Sequence, residues 1–372
     1  MLYRNSIKLP DARVATGMFS NLDSVIKVDN NSLKFFECSR QEVSKTAILS
    51  SLGEVACALK ASKKSGDAEY LISKGLYDTL ITMFPMREVS TGGNGNNMGK
   101  ALLELGIVPL VSYPCRSERL MKSSENFKVA CGKKFKSPIE SIRDHDQDYE
   151  HIIFESESWR RIFTWDVVTS KGIFDEDFLR FAFDSKFTDI AIISYAHLML
   201  PEFKKRTDHV LEKINKERPK VHLEFGLGSM ESMKYAMERF SEEGACDSWG
   251  MNGNEGMLYL NAASNSRKDL VEASLAALKE FNLSRICVHS SKFAFSVSKN
   301  DAKKELDALT AGCLAAAMKA SKKLKISKVA PIKKTIEGYT FCLVPTFYNP
   351  YPEKLTGLGD IFACVQAVKA LC

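Results

Sequence analysis

A short glycine-rich segment near the end of the chain combines groups suited to chemistry on a phosphorylated ligand. The segment Gly357-Leu358-Gly359-Asp360 directly precedes a stretch with the pattern of a final helix. Glycines at a helix start let backbone N–H groups approach an anion, and the positive end of the helix dipole adds attraction. Asp360 can then take a proton from a hydroxyl group. The alternative is an ordinary glycine turn in which Asp360 caps the helix.

Two further segments bring carboxylates to the ends of apolar runs. Asn252-Gly253-Asn254-Glu255 has an N-x-x-E pattern, whose carboxylate can hold Mg²⁺ directly or through water because Mg²⁺ keeps several waters. His222-Leu223-Glu224 puts two polar side chains on one face of an otherwise apolar strand. A buried glutamate needs a partner or a function. The N-x-x-E segment is equally compatible with a solvated turn.

Candidate contacts for a substrate come from the first half of the chain. Asn21 and Asp23 follow the first apolar run, at a predicted turn over residues 20–23. The segment 92–97 is predicted to form a loop that can cradle sugar hydroxyls at a helix start. The pair Arg160-Arg161 can neutralise phosphate charge near a nucleotide. A flexible loop and a surface arginine pair are the alternatives for the last two.

The elements that must position these residues are predicted to form a parallel sheet. Short apolar runs separated by amphipathic helices indicate βαβ units and a sheet covered on both faces. Strands are predicted at 189–194, 220–225, 247–251 and 285–290, and helices at 203–218, 229–243, 267–281, 301–322 and 361–371. Ligands of open α/β sheets bind beyond the carboxyl ends of the strands. The candidate residues are therefore expected at one edge of the sheet.

The segments outside this alternation have other patterns. Helical spacing of apolar residues predicts helices at 47–61 and 67–84. The helix after the glycine-rich loop is predicted to end at Gly106. Residues 113–165 are dense in basic residues and show alternating patterns, so we interpret them as a β-rich insertion.

Composition limits the classes of protein to consider. The chain has 372 residues, 45% of them hydrophobic, and a formal net charge of +6, which suits anionic small molecules as well as nucleic acid. It lacks an apolar leader and an apolar run long enough for a membrane helix, and its ten scattered cysteines form no CxxC pair. We therefore expect a cytoplasmic protein with reduced thiols and no zinc site. The P-loop, G-x-S-x-G and G-x-G-x-x-G signatures are missing, which disfavours P-loop kinases, α/β-hydrolases and NAD enzymes.

Taken together and in order, these segments resemble the ADP-dependent glucokinase/phosphofructokinase family, a branch of the ribokinase-like kinases. The matching segments are GMFSNLDSVIKV (17–28), STGGNGNNMGKALLELG (90–106), YEHIIFESESWRRIF (149–163), DIAIISYAHLML (189–200), VHLEFGLGS (221–229), SWGMNGNE (248–255), RICVHSSKFAFSV (285–297) and VPTFYNPYPEKLTGLGDIFA (344–363). Three departures matter: Tyr195 replaces a glycine of the family, the chain is shorter than typical glucokinases of this family, and the sugar-binding segments are divergent, so the resemblance does not specify the acceptor.

The resemblance implies a ribokinase-like three-layer α/β/α sandwich with a smaller β-rich lid. The large domain would comprise residues 1–22, 41–111 and 167–372, and the lid residues 23–40 and 112–166. The resemblance further implies an ADP-dependent sugar kinase that uses Mg²⁺ and gives AMP. The implied roles are a catalytic base and anion-binding turn (Asp360, Gly357, Leu358, Gly359), sugar contacts (Asn21, Asp23, Gly92, Gly93, Asn94), nucleotide contacts (Arg161, Asn252, His289, Pro345) and magnesium positioning (Glu224, Glu255).

Several alternatives stay open at this point. The acceptor can be glucose, fructose 6-phosphate, ribose 1-phosphate or a nucleoside, and the donor can be ATP. The basic insertion favours a phosphorylated sugar, because lysine and arginine pair with phosphate. A non-catalytic sugar- or nucleotide-binding protein is the alternative of another class. Nucleic-acid binding by the basic stretch is disfavoured, because the stretch lacks interleaved aromatic residues for base stacking.

Overall fold

The computed structural model describes residues 7–28, 48–61, 68–156, 159–165, 168, 171–194, 202–226, 229–320, 325–348 and 357–372. No helix within these ranges has both the length and the apolar character needed to cross a bilayer.

The elements are numbered in chain order. The strands are β1 Val14–Thr16, β2 Asn21–Lys27, β3 Ala68–Leu71, β4 Glu88–Gly92, β5 Leu110–Val111, β6 Val129–Cys131, β7 Lys134–Lys136, β8 Glu150–Glu155, β9 Arg160–Thr164, β10 Ile190–Ser194, β11 Lys220–Glu224, β12 Ser248–Asn252, β13 Arg285–His289, β14 Phe293–Ser298, β15 Lys325–Ile326, β16 Ile332–Ile336, β17 Tyr339–Pro345 and β18 Phe347–Tyr348. The helices are α1 Leu52–Ala61, α2 Lys74–Met83, α3 Gly93–Glu104, α4 Glu118–Ser123, α5 Glu176–Ala182, α6 Phe203–Leu211, α7 Met230–Glu242, α8 Gly253–Tyr259, α9 Arg267–Glu280, α10 Ala302–Ala320 and α11 Leu358–Leu371.

The larger sheet has nine strands in the order β16-β17-β14-β13-β12-β11-β10-β1-β5. Within this sheet, the parallel strands are β5, β1, β10, β11, β12 and β13. Strands β14, β17 and β16 extend the sheet as antiparallel strands. The parallel half confirms the four strands predicted from short apolar runs. Because these strands are parallel, the ends of β11, β12 and β13 meet at one edge, where Glu224, Asn252 and His289 lie.

Helices cover both faces of this sheet, as the predicted three-layer sandwich requires. On one face, α5, α6, α7 and α9 bury Phe178, Val210, Phe240 and Leu278 against the sheet. On the other face, α3, α10 and α11 form the second layer. Helix α11 is buried along almost its whole length and packs against both α10 and α3. Its buried position fixes the N-terminal turn that carries Asp360.

The second sheet has five strands in the order β3-β9-β8-β2-β4. One face is covered by α1 and α2, whose side chains form a core with Phe154 and Phe163. The cross-strand partners show that Asp23 of β2 and His151 of β8 share the opposite face. Side chains alternate between the faces of a strand, so this sheet has a packed face and a polar face, and Asp23 lies on the polar one.

The second sheet is built from more of the chain than the predicted lid. Strands β3 and β4 lie in the range 41–111, which the sequence analysis gave to the large domain. Strands β6 and β7 lie in the predicted lid range but form a separate hairpin. The predicted domain boundaries stay a prediction, and the sheet pairings would move 68–71 and 88–92 to the lid.

Three predicted local structures are wrong. Residues 68–71 are a strand rather than helix, because they pair with β9 beside a core of aromatic side chains. Residues 21–23 begin strand β2 rather than form a turn. Residues 93–97 form the first turn of α3 rather than a loop, and Gly92 ends strand β4. The predicted end of α3 at Gly106 is confirmed by a positive φ of 91° there.

The described cysteines are mostly buried free thiols, in line with small core residues. Cys287, Cys313, Cys342 and Cys364 are buried and free. Cys57 instead takes part in a disulfide bond, so the expectation of uniformly reduced thiols is wrong at this position.

Candidate active site

The start of helix α11 is built around a glycine that a larger residue could replace only with strain. Gly357 has a φ of 78°, in the left-handed region, and caps the helix without a side-chain hydrogen bond. A Cβ atom at Gly357 would lie 2.6 Å from Cγ of Asn97 on α3. The turn therefore packs directly on α3, and its backbone N–H groups remain at the positive end of a long buried helix.

Asp360 lies in the first turn of α11 and is not its N-cap, so the capping interpretation of this residue is wrong. Its Oδ2 accepts a hydrogen bond of 2.9 Å from Nδ2 of Asn97. Burial, with the negative charges of Glu224 and Asp23, raises the pKa of Asp360 to about 6, although the Asn97 hydrogen bond acts in the opposite direction. The carboxyl group is thus a base whose pKa lies near the pH at which it would act.

Asn97 was missed by the sequence analysis, although it lies within the glycine-rich segment singled out there. We predict that Asn97→Ala moves the acid limb of the kcat–pH profile to higher pH. The hydrogen bond from Asn97 stabilises the ionised carboxylate of Asp360, so its loss raises the pKa of Asp360 above about 6. At a given pH, a larger fraction of Asp360 is then protonated and unable to act as a base. The measurement is kcat from pH 5 to 8 at saturating substrates, and an unmoved acid limb contradicts the prediction.

Glu224 at the end of β11 lies beside two histidines. Its Oε1 is 3.3 Å from Nε2 of His289, at the end of β13. Its Oε2 is buried without a hydrogen bond partner, at 3.4 Å from Nε2 of His222. Although burial acts to raise it, the neighbouring imidazole rings of His222 and His289 leave the pKa of Glu224 below its usual value. Gly250 on the neighbouring strand leaves the space, because a Cβ there would lie 1.9 Å from Oε2.

His289 connects this carboxylate to the start of α11. Its ring packs against Phe362 of α11, and a Cβ at Gly359 would lie 3.5 Å from its Cε1. Burial acts to lower the pKa of His289, but the carboxylates of Glu224, Glu255 and Asp360 together raise it. At a given pH, His289 is therefore protonated to a larger extent than an ordinary histidine, and it lies next to the glycine turn.

The N-x-x-E segment forms the start of α8 as a capping box. Oδ1 of Asn252 accepts from the N–H groups of Asn254 and Glu255, and Oε2 of Glu255 accepts from the Asn252 N–H at 2.8 Å. Burial and the charge of Glu224 raise the pKa of Glu255 to about 7. The segment is therefore an ordered helix start close to Glu224, and the solvated-turn alternative is wrong.

The predicted sugar contacts come together where β2 and β4 meet α3. Nδ2 of Asn21 donates to Oδ1 of Asp23 at 2.8 Å, and both side chains are buried. A Cβ at Gly92 would lie 2.0 Å from Oδ2 of Asp23, and one at Gly93 would lie 2.3 Å from Oδ1 of Asn21. The glycine pair thus lets the polar side chains of β2 approach the backbone. Asn94 has a structural function, because its Oδ1 accepts from the N–H groups of Met18 and Phe19.

The predicted nucleotide contacts are not all brought to this cluster. Arg161 is completely buried on the packed face of the second sheet, where Nε donates to the carbonyl of Ala58 in α1. Its neighbour Arg160 pairs across the strands with Glu155, so it lies on the polar face with Asp23 and His151. The arginine on the polar face is therefore Arg160, whereas the nucleotide contact predicted for Arg161 stays a prediction. Pro345 ends β17 opposite Phe293 at the end of the sheet that carries His289.

His151 is a second residue that the sequence analysis missed. It is the cross-strand partner of Asp23, and its Nε2 is buried without a hydrogen bond partner. Burial lowers the pKa of His151 to about 4, so the ring is neutral at physiological pH. The available signal was the two-residue period of the predicted strand HIIFE, which puts His151 and Glu155 on the same face.

We predict that His151→Phe raises the KM for the predicted sugar acceptor about 5-fold and leaves the KM for the predicted nucleotide unchanged. A lost hydrogen bond to a neutral group costs about 1 kcal/mol, and the phenyl ring keeps the packing against Tyr149. The measurement is the pair of KM values, with His145→Phe as a control at an exposed histidine. An equal change in both KM values would instead indicate a structural function.

The residues present suit a magnesium ion held partly by water and phosphate. Within the described ranges, no three histidine, cysteine or acidic side chains converge closely enough to hold a metal by themselves. Glu224 nevertheless has an unpartnered buried oxygen, and Glu255 lies near it. Mg²⁺ prefers oxygen ligands and usually binds to one or two carboxylates together with substrate phosphates. This donor set fits that pattern.

Comparison with models of known families decides the relationship. The model described as the ADP-specific phosphofructokinase/glucokinase conserved region matches residues 12–335. The chain belongs to this family. The match confirms the family and the activity class that the motifs predicted, which is that of an ADP-dependent sugar kinase. Asp360 lies beyond the matched residues, so its function depends on the geometry described above. A search of curated protein sequences gave no match.

Solved structures agree with this fold. A hypothetical ADP-dependent phosphofructokinase from Pyrococcus horikoshii OT3 is 16% identical, with 98% of each chain covered and a TM-score of 0.75. An ADP-dependent kinase in complex with fructose 6-phosphate and ADPβS is 16% identical, with 99% of this chain and 95% of that chain covered and a TM-score of 0.77. At this level of identity the likeness concerns the fold.

Proposed function

We propose that this family member transfers the β-phosphoryl group of ADP to a hydroxyl group of a sugar phosphate of the fructose 6-phosphate type, with AMP as the second product. The observation that carries the proposal is the convergence of Asp360, Asn97, Asp23 and Glu224 at the start of α11. It combines a base, an anion-binding helix start and carboxylates for a cation. Phosphoryl transfer requires mainly positioning and charge neutralisation.

Asp360 is the proposed base. Asn97 holds Oδ2, which leaves Oδ1 to take the proton from the acceptor hydroxyl as that oxygen attacks phosphorus. The backbone N–H groups of Gly357, Leu358 and Gly359 stabilise the negative charge on the oxygens of the transferring group. His289 lies on the same side and adds positive charge there in its protonated form, which its raised pKa favours.

Glu224 and Glu255 are proposed to hold Mg²⁺, in part through water. A bound Mg²⁺ neutralises charge on the phosphate oxygens. On the protein side, Gly250 keeps the space next to Oε2 of Glu224 open, and Asn252 fixes Glu255 through the capping box. The proposed nucleotide contacts are Arg160, His289 and Pro345, with Asn252 at the start of α8.

The acceptor is proposed to meet Asn21, Asp23, His151 and the backbone of Gly92 and Gly93. The polar face of the second sheet supports this, because it carries neutral and acidic hydrogen-bonding groups next to Asp360. A phosphorylated sugar is favoured over glucose because residues 113–165 are dense in lysine and arginine, which pair with phosphate, and because a structural relative was solved with fructose 6-phosphate.

The test is a coupled assay with Mg²⁺ and ADP or ATP against glucose, fructose 6-phosphate, ribose 1-phosphate and nucleosides. AMP formed from ADP with fructose 6-phosphate is the expected result. Turnover with ATP alone would keep Asp360 as the base but overturn ADP as donor. Tight sugar binding without turnover on any pair would support the non-catalytic alternative.

We propose that the protein is located in the cytoplasm. The free thiols among the described cysteines support it, whereas the disulfide at Cys57 is evidence against it.

A further inference from the structure

A buried glutamine on α11 lies directly behind the carboxylate proposed to face magnesium. The side chain of Gln366 and the ring of His222 are both completely buried. Nε2 of Gln366 lies 3.0 Å from the carbonyl oxygen of Ala363 and 3.3 Å from Nε2 of His222. The same nitrogen of His222 lies 3.4 Å from Oε2 of Glu224. Two groups, the Gln366 amide and the Glu224 carboxylate, thus lie at one imidazole nitrogen, which can carry at most one proton.

The carbonyl of Ala363 decides how the amide of Gln366 is oriented. A backbone carbonyl only accepts hydrogen bonds, so the amide nitrogen, not the amide oxygen, must face Ala363. The second hydrogen of that NH₂ group then points to Nε2 of His222. For this contact to be a hydrogen bond, Nε2 must carry a lone pair rather than a proton.

The other side of the histidine ring fits the same assignment. Nδ1 of His222 lies 3.0 Å from Oγ of Ser248, which can accept its proton. With the proton on Nδ1, His222 donates nothing to Glu224. This agrees with the finding that Oε2 of Glu224 has no hydrogen bond donor in the described part of the chain.

We propose that Gln366 is a positioning residue that holds His222 in the Nδ1–H tautomer and thereby keeps Oε2 of Glu224 open for a cation or its water. Without Gln366, the proton can move to Nε2, and His222 then donates to Glu224 across the 3.4 Å contact. A capped carboxylate is a weaker ligand, because one of its lone pairs is already used. The inference depends on the proposed function of Glu224, and it adds the residue that maintains that function.

The direct test is ¹⁵N NMR of histidine-labelled protein without metal or substrate. The chain has six histidines, and the variant His222→Gln identifies the signals of His222 by their loss. In the native protein we expect a protonated Nδ1 and an unprotonated Nε2 for His222. A protonated Nε2 would overturn the proposal, whatever the activity of the enzyme.

The second test measures Mn²⁺ binding in the presence of ADP by electron paramagnetic resonance. Gln366→Met keeps the length of the side chain but removes both donors, and we expect the affinity for Mn²⁺ to fall about 10- to 100-fold. The matched control is Cys364→Ala, which alters a buried side chain on the same helix that contacts Met98 and Ile361 instead. Equal Mn²⁺ affinity in the folded Gln366→Met protein and the native protein overturns the proposal.

The two tests separate this inference from the proposed function. Absence of Mn²⁺ binding by the native protein in the presence of ADP would count against Glu224 as a metal-facing residue. The tautomer of His222 would still decide whether Gln366 acts as described. Should Gln366→Met fail to fold, the spectrum of the native protein remains decisive.

Discussion

Asp360→Asn is expected to lower kcat by roughly 10²- to 10⁴-fold, the range that general-base catalysis contributes. Asparagine keeps the size of the side chain and can still contact Asn97, but it cannot take a proton at neutral pH. The affinity for ADP should change little, because the N–H groups of the glycine turn are retained. The measurements are kcat at saturating substrates and the Kd for ADP by calorimetry.

The same substitution should stabilise the protein above pH 6. The pKa of Asp360 is raised to about 6 in the folded protein, so its ionised form is less favourable there than in the unfolded chain. A group with a raised pKa contributes stability below its unfolded pKa and loses that contribution as the pH rises through the folded value. Removing the charge should therefore raise the free energy of unfolding at pH 8 by on the order of 1–3 kcal/mol.

These two results together distinguish a catalytic base from a structural residue. An inactive and more stable variant has lost chemistry without losing the fold, which is the usual cost of a charged active site. An inactive and less stable variant would point to a packing function for Asp360. Retained turnover at pH 7 would exclude it as the base.

The sequence could predict the parallel half of the large sheet because each strand there is buried on both faces. Such strands are continuous apolar runs, and amphipathic helices between them give the order. The carboxyl ends of these runs then locate Glu224, Asn252 and His289 without any coordinates. Asp360 was located by a different signal, the two glycines that precede a helical pattern.

The second sheet and its contacts could be predicted only in part from the sequence, for physical reasons. Strand β3 has four residues and is stabilised by pairing with β9, 90 or so positions away, rather than by local propensity. The contact of Asn97 with Asp360 joins residues far apart in the chain. Nor could alternation choose between Arg160 and Arg161, because apolar residues such as Ile153 and Phe154 occupy both faces of the neighbouring strand β8.

The other large effect is expected for Glu224→Gln, which should lower kcat/KM about 10- to 100-fold at limiting Mg²⁺. The substitution removes the charge that the unpartnered Oε2 offers to a cation. Higher Mg²⁺ should recover part of the loss, whereas the KM for the acceptor should not change. The measurement is a titration of activity with Mg²⁺, with Glu242→Gln as a control at an exposed carboxylate of α7. An unchanged Mg²⁺ dependence would contradict the assigned function.

At pH 7 and limiting Mg²⁺, Glu255→Gln should lower kcat/KM less than Glu224→Gln does, because Glu255 is already partly protonated. The pKa of Glu255 is raised to about 7, so about half of this carboxyl group is already neutral at that pH. A glutamine resembles the neutral form and can still accept from the N–H group of Asn252 in the capping box. Raising the pH to 8.5 ionises the native residue, so the ratio of native to variant kcat/KM should then increase. If the ratio of native to variant kcat/KM does not change with pH, the charge of Glu255 does not contribute to cation binding.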